Sequence, residues 1–313
     1  MVKQIELNLA FVFPGQGSQS LGMLDLLALE FPIVQETVLE ASQALGYDLW
    51  SLIQKGPLEV LNETEKTQPA LLTASVAMWR VFCSLSDQRP QFLAGHSLGE
   101  YSALVCANSL SLLDAVHLVK KRGELMQHAV LEGEGAMAAI IGLEPEKIQE
   151  ICHEAAQGEV VSAANYNAMG QTVISGHKGA VLRAEELAKN RGAIKVVVLP
   201  VSVPSHCALM QPAAEKFEKI ISNVTIQSPQ ISIIHNVDVK THTAPQEIRE
   251  ILVKQLTAPV RWVDTIQRFK NDNIQHIVEC GPGKVLLGLI RRIDKSFQLY
   301  SLESKEAFLL FIN

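Results

Sequence analysis

Gln91-Phe92-Leu93-Ala94-Gly95-His96-Ser97-Leu98-Gly99-Glu100 is the stretch that decides the fold. Its apolar start reads as a buried strand and the segment from Glu100 to Leu110 as a helix, so Ser97 stands on a tight strand-to-helix turn, a nucleophile elbow. Such a turn crowds its own backbone, and Gly95 and Gly99 leave room on either side of the serine. The helix that follows aims its first free N–H groups at any oxyanion forming beside Ser97, the Leu98 N–H nearest. A bare G-x-S-x-G pattern is weak, but the strand before it and the helix after it make Ser97 a candidate covalent nucleophile.

Outward from the elbow, Leu7 to Phe13 reads as a strand ending at Pro14-Gly15, and Pro69 to Leu85 as a helix leading to the elbow strand. Strand, helix, strand, elbow, helix is an α/β plan. From Gly135 the pattern changes. Ala136–Gly142 reads as a strand, Pro145–Ala156 as a helix, Val160–Asn165 and Gln171–Gly176 as strands, Gly179–Asn190 as a helix, and Ile194–Val203 as a strongly apolar, buried strand. That order, βαββαβ, is the ferredoxin-like unit. Beyond it lie helices over Ala208–Ile221, over Pro245–Leu256 and after Val260, strands near Ile231–Asn236 and Ile274–Cys280, and a Gly281-Pro282-Gly283 turn before a helix through Arg292. The expected fold is therefore α/β, an α/β-hydrolase-like large domain (residues 1–130 and 204–313) with an inserted ferredoxin-like small domain (131–203). A cleft between two such domains favours a ligand site.

Composition bounds the function. A chain of 313 residues with 48% hydrophobic and 19% charged content is that of a soluble globular protein. Its net charge of −6 argues against a nucleic-acid binder. The five cysteines are odd in number and form no C-x-x-C pair, which supports neither a disulfide framework nor a zinc site, and no other metal site is expected. Neither a signal peptide nor an apolar run of membrane-spanning length is evident, so the expected location is cytoplasmic, with no membrane partner. Gly15-Gln16-Gly17-Ser18-Gln19-Ser20 lacks the last glycine of a dinucleotide fingerprint, and Gly281-Pro282-Gly283-Lys284 lacks the frame of a P-loop.

A nucleophilic serine needs a base. Of the nine histidines, His206 alone follows an apolar strand and a Pro204-Ser205 turn at the head of a helix, a loop position from which α/β folds present their chemistry. No carboxylate claims the third place of a triad; Asp264, Glu279 or a backbone carbonyl remain open.

Five segments together, Phe13-Pro14-Gly15-Gln16-Gly17-Ser18-Gln19, Gly95 to Glu100, Lys121-Arg122-Gly123, Pro204-Ser205-His206 and Gly281 to Lys284, resemble the malonyl-CoA:acyl carrier protein transacylases along nearly the whole chain. The resemblance implies that Ser97 accepts the acyl group, His206 is its base, and the backbone N–H groups of Gln16 and Leu98 form the oxyanion hole. It further implies that Arg122 binds the malonyl carboxylate, that the backbone carbonyl of Gln255 holds His206, and that the enzyme acts as a monomer with no bound cofactor. Coenzyme A thioester and acyl carrier protein are then the substrates, in ping-pong transfer serving fatty acid or polyketide synthesis. The segment Asn165 to Gly170 departs from the family at Tyr166 and Met169-Gly170. An acidic carrier would need local basic groups, and Lys284, Arg291, Arg292 and Lys295 cluster after the Gly281 turn, where a solvated helix end is the plain alternative. An esterase or thioesterase shares the elbow but has no use for Arg122 opposite a neutral acyl chain.

Overall fold

The computed structural model describes residues 8–201 and 203–312. Its strands are β1 (Leu9–Phe13), β2 (Phe92–Gly95), β3 (Gly135–Ile141), β4 (Val161–Ala168), β5 (Gln171–His177), β6 (Lys195–Val198), β7 (Ser232–Ile234), β8 (His276–Glu279) and β9 (Gln298–Ser301). Two sheets result, a parallel one in the order β7-β2-β1-β8-β9 and an antiparallel one in the order β4-β5-β3-β6.

The parallel sheet is apolar on both faces, as a sheet covered on both sides requires. Every residue of β1 is buried. Alternate side chains feed two cores: Leu9, Phe11 and Phe13 join the larger cluster with helix Thr64–Leu85, while Ala10 and Val12 join Trp262, Ile266, Phe269 and Ile290. The Phe11 ring lies 5.2 Å from Trp79 and 4.7 Å from Phe82. Because the strands are parallel, the loops after β1, β2, β7 and β8 open on one side of the sheet, the carboxyl side where such folds place their sites.

The antiparallel sheet carries helices Pro145–Ala156 and Lys178–Asn190 over one core. It is tied to the rest of the chain by Val260, whose N–H donates to Ala164 O and whose carbonyl accepts from Tyr166 N–H, each at 2.9 Å.

Several elements differ from the sequence reading. The run Ile194–Val203 is neither a long strand nor a buried one: β6 stops at Val198, pairs among the described residues with β3 alone, and leaves Ile194 81% exposed. Beyond it, Val201 N–H bonds back to Leu199 O and ends the ladder; Ser202, within the expected strand, lies outside the described residues. The helix expected from Pro69 starts at Thr64 with Pro69 inside it, and the helix after the elbow ends at Cys106, before Asn108 in the left-handed region. Strand β9 and helix Lys305–Ile312 were not expected. No described helix is long and apolar enough to cross a membrane.

Candidate active site

The elbow is built by steric exclusion. A Cβ on Gly95 would lie 1.8 Å from the Gly99 carbonyl carbon, and one on Gly99 would lie 2.0 Å from Phe13 O. Ser97 takes φ 52°, a left-handed conformation rare for a residue with a side chain. Asn236, just past β7, splints this turn: its Oδ1 accepts from Ser97 N–H at 2.8 Å and its Nδ2 donates to Gly95 O at 2.6 Å.

His206 is also left-handed, at φ 62°, and buried. Its own N–H donates to Leu256 O. The ring bridges two partners, with Nδ1 2.8 Å from the backbone carbonyl of Gln255 and Nε2 2.8 Å from Ser97 Oγ. A carbonyl only accepts, so the ring proton sits on Nδ1, and the Nε2 lone pair faces the serine hydroxyl. Burial, and after it the Arg122 guanidinium, pulls the imidazole down to about 3. The ring is thus neutral and able to take a proton at any ordinary pH.

Arg122 lies inside helix Leu112–Gln127, 1% exposed. Gly123 lets this helix approach Thr64–Leu85, because a Cβ there would lie 2.7 Å from Glu65 Cα. Arg122 Nη1 donates to Gln68 Oε1 at 2.9 Å, and Nη2 to Gln255 Oε1 at 2.9 Å and Ser97 Oγ at 3.3 Å. Among the described residues its buried Nε meets no acceptor at hydrogen-bond distance, and the Tyr101 ring lies 5.4 Å from the guanidinium. Burial pulls the guanidinium pKa down from its ordinary value, yet an arginine in a protein keeps its charge.

The loop after β1 lies against the elbow: a Cβ on Gly15 would lie 2.4 Å from His96 O. Among the described residues, no group of the protein accepts from the N–H of Gln16 or of Leu98. The side chain of Gln16 is tethered through Nε2 to Thr64 Oγ1 at 3.2 Å.

Ser97, His206, Gln255 and Arg122 therefore meet directly, with Leu98 next in the chain and Gln16 on the adjoining loop. Asp264 and Glu279 do not join them. Asp264 pairs with Arg261 at 2.7 Å. Glu279 caps helix Val285–Ile293 by accepting from the N–H groups of Leu286 and Leu287, and burial pushes its carboxyl up to about 7. The basic cluster lies in and around that same helix: Arg291 and Lys295 are exposed, Lys284 pairs with Glu303 at 3.1 Å, and Arg292 donates to Gln171 Oε1 at 2.7 Å.

Buried around the site are Gln68, Glu100, His235 and Asn236, to which the sequence assigned no role. Glu100 follows the elbow directly, but an acid in a helix's first turn is an ordinary complement to the helix dipole. His235 and Asn236 are polar residues at the carboxyl end of an apolar strand, a signal that was present and unused. His96 has its Nε2 2.8 Å from Asn167 Oδ1 and its ring edge-on to Trp262. The departing segment thus touches the elbow through Asn167.

Residues 10–304 match the family model described as the acyl transferase domain. The chain is 55% identical over 284 residues to the malonyl CoA-acyl carrier protein transacylase of Salmonella typhimurium, covering 91% of this chain and 92% of that protein. The Bacillus subtilis protein of the same name is 42% identical over 306 residues, covering 97% and 96%. Among solved structures, the malonyl CoA-acyl carrier protein transacylase of Coxiella burnetii superposes with a TM-score of 0.97 at 54% identity, covering 98% of this chain and 97% of that one. A malonyl-transacylase solved in complex with a type II PKS acyl-carrier protein gives a TM-score of 0.96 at 49% identity, covering 97% and 99%.

Proposed function

The chain belongs to the acyl transferase domain family, and from that premise we propose that it moves the malonyl group of malonyl-CoA to the phosphopantetheine thiol of acyl carrier protein through a malonyl ester on Ser97. The observation that carries this reading is a fully buried guanidinium 3.3 Å from the nucleophilic oxygen. An arginine there offers paired, charge-assisted hydrogen bonds to an acyl group that ends in a carboxylate, and nothing useful to a neutral one.

In the first half-reaction Ser97 Oγ bonds to the thioester carbonyl carbon while its proton passes to His206 Nε2. The Gln255 carbonyl steadies the imidazolium through Nδ1–H. The N–H groups of Gln16 and Leu98 receive the oxyanion, and the C–S bond then breaks as coenzyme A leaves with the proton from His206. The second half runs the same steps in reverse, the carrier thiol giving its proton to His206 and attacking the ester. Each step uses groups of the protein and the two thiols alone, so no resident cofactor is required.

The βαββαβ connectivity and β4-β5-β3-β6 order support a ferredoxin-like small domain over residues 131–203, inserted in an α/β-hydrolase-like domain of 1–130 and 204–313. The exposed basic groups Arg291 and Lys295, with Lys284 and Arg292, support a docking surface for an acidic carrier. On the family resemblance we read the enzyme as a cytoplasmic monomer supplying extender units for fatty acid synthesis.

The experiment is to load the enzyme with malonyl-CoA, remove free thioester, and add holo acyl carrier protein. Malonyl should leave the enzyme for the carrier much faster than for water; release to water at the same rate with and without carrier would make it a thioesterase. Charge reversal at Arg291 and Arg292 should raise the KM for carrier and leave self-acylation unchanged.

A further inference from the structure

Glu100 is fully buried, and both its oxygens are engaged. Oε1 accepts from His235 Nδ1 at 2.5 Å; Oε2 accepts from Gln255 Nε2 at 2.7 Å and from Asn236 N–H at 3.2 Å. The Gln255 amide stands between two charges, since its Nε2 also donates to Ser97 O at 3.1 Å while its Oε1 accepts from Arg122 Nη2. Among the described residues, Arg122 donates to Gln68, Gln255 and Ser97 and lies 5.4 Å from the Tyr101 ring, with no carboxylate in direct hydrogen-bond contact. A buried guanidinium with no anion to answer it is costly. The hydrogen-bonded path from it reaches one buried carboxylate, Glu100, across a single amide.

We propose that Glu100 is a positioning residue, the resident counter-charge of Arg122 relayed through the Gln255 amide. The inference rests on the malonyl-transfer reading and says how that site stays ready for its anionic substrate. A carboxylate in direct contact with Arg122 would compete with the malonyl carboxylate for the same donors. Set one amide away, Glu100 orients Gln255 so that its oxygen faces Arg122, and leaves the Nη2 that reaches Ser97 Oγ without a carboxylate in direct contact. His235 Nδ1 holds the other oxygen of Glu100, so both carboxylate oxygens are fixed in place.

Glu100→Gln keeps the shape but lets an NH₂ stand where Gln255 needs an acceptor. Loading of Ser97 from malonyl-CoA should fall by about 10- to 100-fold, the worth of one hydrogen bond to a charged group, while loading from acetyl-CoA changes by less than about threefold. In an Arg122→Ala background the same substitution should leave the malonyl-to-acetyl ratio where Arg122→Ala alone puts it. Gln255→Leu, which cuts the relay and spares Glu100, should lower the ratio similarly and covers the case in which Glu100→Gln does not fold. Equal losses for malonyl and acetyl in both variants, or an undiminished effect in the Arg122→Ala background, would overturn the proposal. Acyl transfer itself is judged separately by the adduct on wild-type Ser97. Should that adduct be missing, calorimetry on Ser97→Ala protein still decides for Glu100: Glu100→Gln should weaken malonyl-CoA about tenfold and leave acetyl-CoA unchanged, and equal affinities would reject it.

Discussion

Strands β2 and β6 are each four residues long and each precedes a loop that carries a residue of the candidate site, yet they obey different constraints. β2 lies inside the parallel sheet, paired with β1 and β7, and its last residue, Gly95, has backbone of the next turn where a side chain would go. β6 lies at the edge of the antiparallel sheet, paired with β3 alone, and Val198 is 42% exposed. Apolar character is common to both and so says nothing of burial. The steric demand of the turn is what distinguishes them, and it leaves a mark in sequence only at β2.

The site built on β2 should be fragile to single atoms. His206→Ala should slow acylation of Ser97 by about 10²–10⁴, the worth of a positioned general base. Arg122→Ala should lose about 30- to several thousand-fold in kcat/KM for malonyl-CoA, as when one partner of a buried charged pair is removed. Acetyl-CoA should lose far less, and lysine at 122 should restore only part of the loss. A common loss for both thioesters would make Arg122 a structural residue. Gly95→Ala should cost roughly 3–5 kcal/mol of unfolding free energy, because its Cβ has no volume to occupy.

The pH dependence is a finer probe of the same site. An imidazole held near 3 remains unprotonated as pH falls, so acylation from acetyl-CoA should stay flat from about pH 8 to about pH 5. An ordinary imidazole would lose activity below its usual 6.5. Arg122 is the second cause of the depression, so Arg122→Ala should move the acid limb to higher pH; a wild-type profile already falling near 6.5 would remove the effect. The smallest change is expected at the other strand. Ile194→Lys, at the exposed edge beside β6, should shift stability by no more than about 0.5 kcal/mol in denaturant unfolding. A cost there equal to that of Gly95→Ala would erase the contrast between the two strands.

The contrast also explains what could be read from sequence. The elbow announces itself locally, because Gly95 and Gly99 are required within a few residues of Ser97. His206 was singled out by its place at the head of a helix, whereas the roles of Gln255, Gln16 and Arg122 came from family resemblance and not from their local pattern. The supports stayed hidden because their partners are remote in the chain: Asn236 lies 139 residues from the serine it splints, Gln255 lies 155 from Glu100, and Gln68 lies 54 from Arg122. No local rule pairs such residues. The exposure of Ile194 and the short reach of β6 depend on which strand occupies the sheet edge, a tertiary fact that hydrophobic periodicity does not carry.

The central claim is that Ser97 bears the malonyl group during transfer, and intact-mass measurement of the enzyme after incubation with malonyl-CoA tests it most directly. The account predicts a gain of one malonyl group, mapped by peptide fragmentation to Ser97 and missing from Ser97→Ala. A malonyl adduct of undiminished yield in Ser97→Ala, or one mapped to another residue in the wild type, would contradict it.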